Sequence, residues 1–225
     1  GPFLVEGAEP GDTLVVRLDR LAPNRPTGVS ASVLAPNVVD PGFVRHLTER
    51  PLVVWDMDLS RGEASLQTPV PGLEVLRLPL EPMLGCFGVA PAHSQAISTV
   101  TSAEHGGNMD YRGLTEGTTL YLPVWVDGAY LFFGDVHALQ GDGEINCAGG
   151  IECRSTVRLR ARIVKRPESY ACVRIENQEY IMAVSCERSL EESFYKAASE
   201  IIGWMSEDYG FTVREAYLLM GQVLE

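Results

Sequence analysis

Short runs of apolar and β-branched residues, separated by prolines and glycines, make up most of the chain before residue 165. Such runs predict β-strands at Thr13–Asp19, Leu52–Met57, Leu73–Leu78 and Ser155–Val164. In the last two, apolar and polar residues alternate, so one face of each strand is expected to be exposed to solvent. The stretch Ala22–Arg50 carries four prolines and two glycines, which predicts an irregular loop or a lid.

The clearest local signal is a pair of apolar runs, Leu120–Val126 and Ala129–Val136, joined by Asp127-Gly128. An Asp-Gly pair between two strand-like runs predicts a β-hairpin with a type I′ turn. Pro123 has no backbone N–H to donate, so it is expected at a sheet edge or a bulge.

Helical patterns occur only near the C-terminus. Ser189–Glu192 and Thr212–Glu215 both have the sequence of a capping box, and Gly210 separates the two predicted helices. The first helix, Ser189–Ser206, is predicted to bury one apolar stripe against a sheet. That stripe consists of Leu190, Phe194, Ala197, Ile201, Trp204 and Met205. The pattern therefore predicts a mainly β, antiparallel protein with a C-terminal helical hairpin.

The composition is that of an ordinary globular protein, with 225 residues, of which 45% are hydrophobic and 21% charged. The net charge is −12 and the sequence contains no run of Lys or Arg, which argues against binding to nucleic acid. No apolar run reaches the roughly 18 residues that a membrane span needs, so no membrane partner is expected. The five cysteines contain no Cys-x-x-Cys pair, which predicts a reduced protein in the cytoplasm.

The first segment whose residues could form a catalytic or binding site is His105–Asp110, with the sequence His-Gly-Gly-Asn-Met-Asp. Two adjacent glycines allow positive φ angles and close approach of the backbone to a ligand. They could bring His105, Asn108 and Asp110 to one point. A polar turn without function is the alternative interpretation, because Asn and Asp are common in turns.

The second segment is Gly134–Glu144. Asp135 and His137 stand two residues apart at the end of a predicted strand, so both side chains project from the same face. Asp142 and Glu144 repeat this spacing in a Gly-rich loop. Three acids and a histidine are costly to gather unless something compensates their charge, and a divalent cation would do so. A solvated acidic turn is the alternative, but the two segments together favour a site.

Five strings, taken in order along the chain, closely resemble the acetamidase/formamidase family. They are Val5–Leu14, Gly85–Ala92, His105–Asp110, Leu120–Val124 and Gly134–Glu144. The resemblance implies a cytoplasmic hydrolase of small amides, built as a jelly-roll-like β-sandwich with an α+β layer. It also implies a homodimer with a divalent metal, zinc first and calcium as the alternative. Thr99–Glu104 lacks the Pro-Gly expected before the histidine motif, so the substrate pocket is expected to differ.

The resemblance also bears on domain organisation. We expect one domain over 1–225, with a β-rich part at 1–154 that carries the site motifs and an α+β part at 155–225. Members of the family have a further strand-rich segment before the position of Gly1 and a closing strand after that of Glu225. We therefore expect the chain to be a fragment, a processed chain or one trimmed at its termini.

Residue chemistry and motif position assign roles for amide hydrolysis. The expected metal ligands are His105, Asp135 and His137. Asp110 is expected either as a fourth ligand or as a residue that contacts a ligand and not the metal. A divalent ion lowers the pKa of a bound water to near neutrality, which makes that water a nucleophile. Glu144 is the expected general base and later proton donor, with Asp110 or Asp142 as the next candidate. Asn108 is expected to bind the substrate carbonyl oxygen.

Two alternatives stay open at the level of sequence. Cys147 or Cys86 could be a nucleophile activated by a nearby histidine, although free cysteines are more often small core residues. The chain could also be a non-catalytic β-sandwich module or subunit whose acidic loop holds a structural calcium ion. Histidine in the site favours zinc-like metals and catalysis, whereas an all-oxygen site would favour calcium.

Overall fold

Strands and two C-terminal helices make up the fold in the computed structural model, which describes residues 1–31, 38–46, 52–145, 149–165 and 172–225. The strands are β1 (Thr13–Ser30), β2 (Val53–Asp58), β3 (Glu63–Leu66), β4 (Leu78–Pro79), β5 (Met83–Gly88), β6 (Gly106–Asn108), β7 (Thr119–Pro123), β8 (Phe132–His137), β9 (Glu152–Val164), β10 (Val173–Glu176) and β11 (Ile181–Val184). The helices are α1 (Leu190–Tyr209) and α2 (Val213–Val223), and one-turn 3-10 helices lie at Val44–His46, Ala92–Ser94 and Asp142–Glu144. The predicted fold class, mainly β with a C-terminal helical pair, is confirmed.

All strand pairings within the described residues are antiparallel, and the strand order is β11-β10-β7-β1-β9-β8-β5-β6. The long strand β1 organises this sheet. Its first part pairs with β7, its last part pairs with β2, and β9 runs along its other side. The register between β1 and β9 shifts between Pro23 and Gly28. Because of this irregularity, β1 can pair with β7 in its first part and with β2 in its last part.

The hydrophobic core lies against β1, β5, β7 and β10. Its fully buried members include Leu14, Val16, Leu18, Leu84, Phe87, Leu120, Leu122 and Ile175. The alternation along β1 explains this core, because Leu14, Val16 and Leu18 all point to the same face of the strand. Burying each such leucine or valine stabilises the fold by about 1.5–3 kcal/mol.

A smaller core cluster supports the ends of β8 and β9. Met57, Ala64, Ala138 and Ile151 form this cluster. The Ala138 N–H donates to the Ile151 carbonyl at 2.7 Å, and the Ile151 N–H donates to the Leu139 carbonyl at 2.9 Å. These bonds set the register that brings His137 opposite Glu152.

Both helices begin at the predicted caps, but only the second start forms the predicted capping box in full. The Ser189 side chain accepts a hydrogen bond from the Glu192 N–H, and Thr212 forms a full capping box with Glu215. Gly210 ends α1 with a φ of 74°, a left-handed value that glycine adopts without a steric penalty. None of the described helices is both long and apolar enough to cross a membrane.

The predicted apolar stripe of α1 is only partly buried. Trp204 and Met205 are buried, whereas Leu190 is 91% exposed and Phe194 is 56% exposed. The prediction that the whole stripe belongs to the core is wrong. The buried residues of α1 are Glu200, Trp204 and Met205, so burial is confined to its second half.

A buried ion pair helps to hold α1 against the sheet. The Arg174 Nε on β10 donates to Glu200 Oε1 at 2.6 Å, and the guanidinium lies 5.2 Å from the centre of the Trp204 ring. Arg174 is 2% exposed and Glu200 is 9% exposed. Because removing one partner of such a pair leaves a buried charge uncompensated, its loss costs about 3–5 kcal/mol.

The predicted hairpin between Leu120–Val126 and Ala129–Val136 does not form. β7 pairs with β1 and β10, whereas β8 pairs with β5 and β9. The Ala129 N–H does close a turn onto the Val126 carbonyl at 3.0 Å, but Asp127 is not among the residues with positive φ, so this is not a type I′ turn. Left-handed φ angles at Ala129 and Tyr130 then turn the chain away from β7.

Pro123 is the last residue of β7 and pairs with Thr13, at an end of the strand and not at a sheet edge. The next residue, Val124, still donates its N–H to the Asp12 carbonyl at 2.9 Å, so the missing N–H of Pro123 does not end the contact with this part of the chain.

Two further predictions need correction. The part of Ala22–Arg50 that runs to Ser30 is strand, because it continues β1. Residues 32–37 and 47–51 lie outside the described residues, so the rest of that prediction is only partly covered. In Leu73–Leu78, only Leu78 is in a strand; the Leu76 N–H closes a turn onto Leu73, and Val75 is 88% exposed. Among the described residues, no strand pairs with Leu73–Arg77, so the alternating pattern there does not form a strand.

The other predicted strands and the first predicted helix are confirmed. Thr13–Asp19 lies within β1, Leu52–Met57 corresponds to β2, and Ser155–Val164 lies within β9. The predicted helix from Ser189 corresponds to α1.

Candidate active site

Three side chains from different parts of the sheet converge at one point. Asp135 and His137 lie at the end of β8, and Asp110 follows β6. One possible ligand atom from each lies within 4.8 Å of the other two. Asp135 and His137 come together as the sequence predicts, although the left-handed φ of Asp135 interrupts the regular alternation of β8.

His137 is fully buried and is held from several sides. Its Nδ1 lies 2.7 Å from Gln140 Oε1, and its Nε2 lies 3.0 Å from Glu152 Oε1 and 3.7 Å from Asp135 Oδ2. A Cβ atom on Gly150 would lie only 2.5 Å from His137 Nδ1. Gly150 therefore packs against the imidazole, and any larger residue there would displace the ring.

The electrostatics of His137 favour positive charge at this point. Burial opposes the charged imidazolium, but the carboxylates of Asp135 and Glu152 outweigh burial and raise the pKa of His137 to about 11. The imidazolium lowers the pKa of Asp135 in return. In the absence of any other cation, a proton on His137 supplies the charge that these carboxylates require.

Asp110 has an environment that suits a cation. Burial, followed by the negative charges of Glu144, Asp135 and Glu152, raises its pKa to about 6. Its Oδ2 accepts a hydrogen bond from Asn108 Nδ2 at 2.6 Å. Its Oδ1 is buried and has no hydrogen-bond partner among the described residues. An unsatisfied buried carboxylate oxygen is costly, so this oxygen is suited to binding a cation.

Gly85 on β5 forms the floor beneath two of the carboxylates. A Cβ atom at this position would lie 2.7 Å from Asp110 Oδ1 and 2.7 Å from Asp135 Oδ2. Both oxygens thus occupy the space that any other side chain would need. The glycine lets the two carboxylates approach the same small volume.

Backbone strain concentrates in the same place. Asp110, Asp135 and Glu144 have φ angles of 45°, 59° and 39°, in the left-handed region that residues with a Cβ rarely adopt. Such strain persists only where the surrounding structure enforces it, and it is common at functional sites. Its occurrence at three acids of one site supports a functional interpretation of that site.

These groups line a cavity of about 930 Å³. Asp110, Asp135, His137, Glu144, Glu152 and Asn108 all contribute to its wall. Apolar residues, among them Val100, Phe132 and Ile145, make up another part. A cavity with apolar walls and a few convergent polar groups is typical of a small-molecule site.

Glu144 and Asp142 differ in position although both belong to the same 3-10 helix. Glu144 lines the cavity, and its Oε1 accepts a hydrogen bond from the Gly150 N–H at 3.0 Å. The Asp142 side chain is 83% exposed, faces Arg112 at 3.7 Å and does not line the cavity. The structure therefore brings Glu144 to the site and leaves Asp142 outside it.

His105 is not brought into the group formed by Asp110, Asp135 and His137. It is 3% exposed, and its ring centre lies 6.3 Å from that of Phe132. Burial lowers the pKa of His105, which favours the neutral ring, and its Nδ1 has no hydrogen-bond partner among the described residues. The expected convergence of His105 with Asp135 and His137 is thus not found among the described residues.

Glu152 and Gln140 are the residues that sequence reasoning missed. Glu152 begins β9 outside any motif, and only the register of β8 with β9 brings it to His137. No signal in the sequence identifies it. Gln140 lies within the predicted segment, three residues after His137, and this spacing could have indicated a contact.

The cysteine alternative finds little support in the described residues. Cys86 lines the cavity, but burial and the charges of Asp135 and Asp110 raise its pKa to about 11. A thiol in this state is protonated at neutral pH and is a poor nucleophile. Cys147 lies outside the described residues.

Comparison with known proteins points to one family. A family model described as the Acetamidase/Formamidase family matches residues 92–224. The acetamidase of Mycolicibacterium smegmatis is 29% identical, covering 73% of this chain and 53% of that protein. The crystal structure of an acetamidase from Yersinia enterocolitica is 31% identical with a TM-score of 0.82, covering 99% of this chain and 66% of that one.

A second solved structure, an acetamidase from Bacillus halodurans, is 30% identical with a TM-score of 0.81. The alignment covers 99% of this chain and 70% of that one. The chain spans about half the length of the curated relatives it matches.

Proposed function

Because the chain belongs to the acetamidase/formamidase family, we propose that it hydrolyses small amides at this cavity with the help of a divalent cation. The observation that carries the proposal is the convergence of Asp110, Asp135 and His137, whose possible ligand atoms lie within 4.8 Å of one another. The reaction adds water across the amide. Its C–N bond breaks, and a carboxylate and ammonia, or an amine, are released.

The donor set fits a cation. The orphaned Asp110 Oδ1 and Asp135 Oδ2 share the space above Gly85, and His137 Nε2 faces Asp135. A divalent ion would satisfy the buried oxygen and offset the repulsion between the carboxylates. Two carboxylates and an imidazole are the ligands of zinc-like metals, whereas calcium prefers oxygen alone. We therefore propose zinc, with calcium as the alternative.

Three residues would bind the cation, and a fourth lies next to one of them. Asp110, Asp135 and His137 are the proposed ligands. Glu152, whose carboxylate lies 3.0 Å from His137 Nε2, is proposed either as an additional ligand or as a partner that orients the imidazole. His105, which the sequence predicts as a ligand, lies outside this group and is therefore not among the ligands proposed here.

The bound ion would supply a Lewis acid for the amide carbonyl and lower the pKa of water. Glu144 is proposed as the general base that takes a proton from the attacking water and returns it to the leaving nitrogen. Its carboxylate lines the cavity and is held by the Gly150 N–H. Asn108 donates to Asp110 Oδ2, so we propose that it orients this carboxylate, with its second N–H available to a substrate oxygen.

The test uses purified protein, elemental analysis and a panel of small amides with release of ammonia as the readout. We expect stoichiometric divalent metal, loss of hydrolysis on chelation and recovery on addition of zinc. An Asp135→Asn variant should lose both metal and activity. Metal binding without hydrolysis of any amide would favour a non-catalytic module. Activity that survives chelation but not alkylation of thiols would favour a cysteine nucleophile.

The resemblance also leads us to propose a homodimer in the cytoplasm. Light scattering coupled to size-exclusion chromatography tests the oligomeric state. A monomer at all accessible concentrations would contradict the proposed dimer and leave the proposed chemistry unaffected.

A further inference from the structure

Gln140 makes hydrogen bonds with both ends of its side-chain amide. It is 4% exposed, its Nε2 donates to the Asp110 carbonyl at 2.6 Å, and its Oε1 lies 2.7 Å from His137 Nδ1. One short, buried side chain therefore connects the segments that carry two proposed ligands.

The Asp110 carbonyl determines which way the Gln140 amide faces. A backbone carbonyl can only accept a hydrogen bond, so the nitrogen of the Gln140 amide must face it. The oxygen of that amide then faces His137 Nδ1 and can only accept. His137 must therefore carry a proton on Nδ1, because only a proton there can join the ring nitrogen to an amide oxygen.

The remaining ring nitrogen faces the cavity. With Nδ1 protonated, the neutral imidazole of His137 has its lone pair on Nε2, which points toward Asp135 Oδ2 at 3.7 Å and Glu152 Oε1 at 3.0 Å. A lone pair among carboxylate oxygens is repulsive unless a proton or a metal cation lies between them, so a bound cation would take the place that a second ring proton holds in the metal-free protein. Gly150 packs against the ring and resists its rotation, since a Cβ there would lie 2.7 Å from Cγ.

We infer that Gln140 is a positioning residue that fixes His137 as the Nδ1–H tautomer and thereby presents Nε2 to the cation. This inference rests on the proposed metal-dependent function. Partners of this kind orient a ligating imidazole and raise its basicity, and their removal typically lowers metal affinity by about 10–100-fold. The bond to the Asp110 carbonyl serves to hold the Gln140 amide in the required orientation.

Two variants separate this role from packing. Gln140→Leu removes both hydrogen bonds with little change in volume. Gln140→Glu also removes the donor to the Asp110 carbonyl, but either of its oxygens can accept from His137 Nδ1–H. Gln67→Leu is the control, because Gln67 is an exposed glutamine that donates to Asp56 at 3.1 Å.

The measurements are zinc affinity, by competition with a chromogenic chelator, and stability of the metal-free protein, by urea unfolding. We expect Gln140→Leu to lose about 10–100-fold in zinc affinity, while Gln140→Glu and Gln67→Leu retain most of it. Gln140→Glu should nevertheless be the least stable metal-free variant, since it buries a carboxylate beside a carbonyl oxygen. Affinity and stability would thus rank the two Gln140 variants in opposite orders.

A purely structural role would give a different result. If zinc affinity followed the stability of the metal-free protein, so that Gln140→Glu bound zinc as weakly as Gln140→Leu or more weakly, the inference would be overturned. Unchanged affinity in Gln140→Leu would also overturn it and would leave the proposed function in place. Wild-type protein that binds no divalent metal would overturn both.

Discussion

Replacing Gly85 with alanine tests whether the two carboxylates must share one small space. The new Cβ would lie 2.7 Å from Asp110 Oδ1 and 2.7 Å from Asp135 Oδ2. Unstrained contacts between carbon and oxygen are about 3.3–3.6 Å, so each oxygen would have to retreat by roughly 0.6–0.9 Å. Metal–ligand distances tolerate only about 0.2 Å. The alanine would therefore displace two of the three proposed ligands well beyond what a cation accepts.

The expected effect on function is larger than that on stability. A misplacement of this size costs about 10²-fold in catalysis, and zinc affinity should fall in parallel because two ligands move. Overpacking costs about 1–3 kcal/mol of folding free energy, and the loss of glycine freedom in the unfolded chain returns about 0.4–1 kcal/mol. The variant should thus fold but bind metal poorly.

Isothermal titration with zinc and ammonia release from a reactive amide measure these effects. Gly141→Ala is the matched control, because the φ of Gly141 is −78° and a Cβ there would meet no atom of the described residues within 4 Å. The control should behave like the wild type in both assays. If Gly85→Ala bound zinc with wild-type affinity, the two carboxylates would not be joint ligands and the reasoning would fail.

Further predictions concern the acids around the cavity. Glu144→Gln should lower kcat by about 10²–10⁴-fold with metal content unchanged; loss of metal in parallel would make Glu144 a ligand. Glu152→Gln should weaken zinc binding by about 10–100-fold, whereas unchanged affinity would remove Glu152 from the site. The folded pKa of Asp110, about 6, lies above its usual value of 3.8. The stability that protonated Asp110 contributes is therefore present below pH 3.8 and is lost as pH rises through about 6. Urea unfolding of metal-free Asp110→Asn and wild type should show the variant gaining relative stability across that window, and parallel curves would contradict it.

Signals that act over a few residues are determined by the sequence alone. Ser189 and Thr212 each bond to an N–H three residues onward, and Gly210 ends α1 by its own backbone freedom. Such interactions close within one turn and do not depend on the rest of the fold. The two-residue spacing of Asp135 and His137 likewise predicts that the two side chains are neighbours, and the structure places them so. The left-handed φ of Asp135 departs from regular strand geometry, however, so the surrounding fold sets the direction of that side chain.

Strand pairing needed the tertiary structure. The runs on either side of Asp127-Gly128 look like a hairpin, yet each finds its partners elsewhere. A local turn contributes little free energy, whereas the burial of a whole strand face between two neighbours contributes much more. The choice between competing partners is therefore made by the core as a whole, and the composition of the turn cannot reveal it.

The site shows the same division. The sequence brings Asp110, Asp135 and His137 forward as candidates by residue type and motif, but it also brings forward His105, which lies outside their group. Glu152 comes to His137 only through the register of two strands, and Gly85 matters only because two distant carboxylates lie above it. The residues that could take part in chemistry can thus be identified from the sequence alone. Which of them meet is decided by long-range packing, because distances of a few ångströms between remote residues depend on every strand between them.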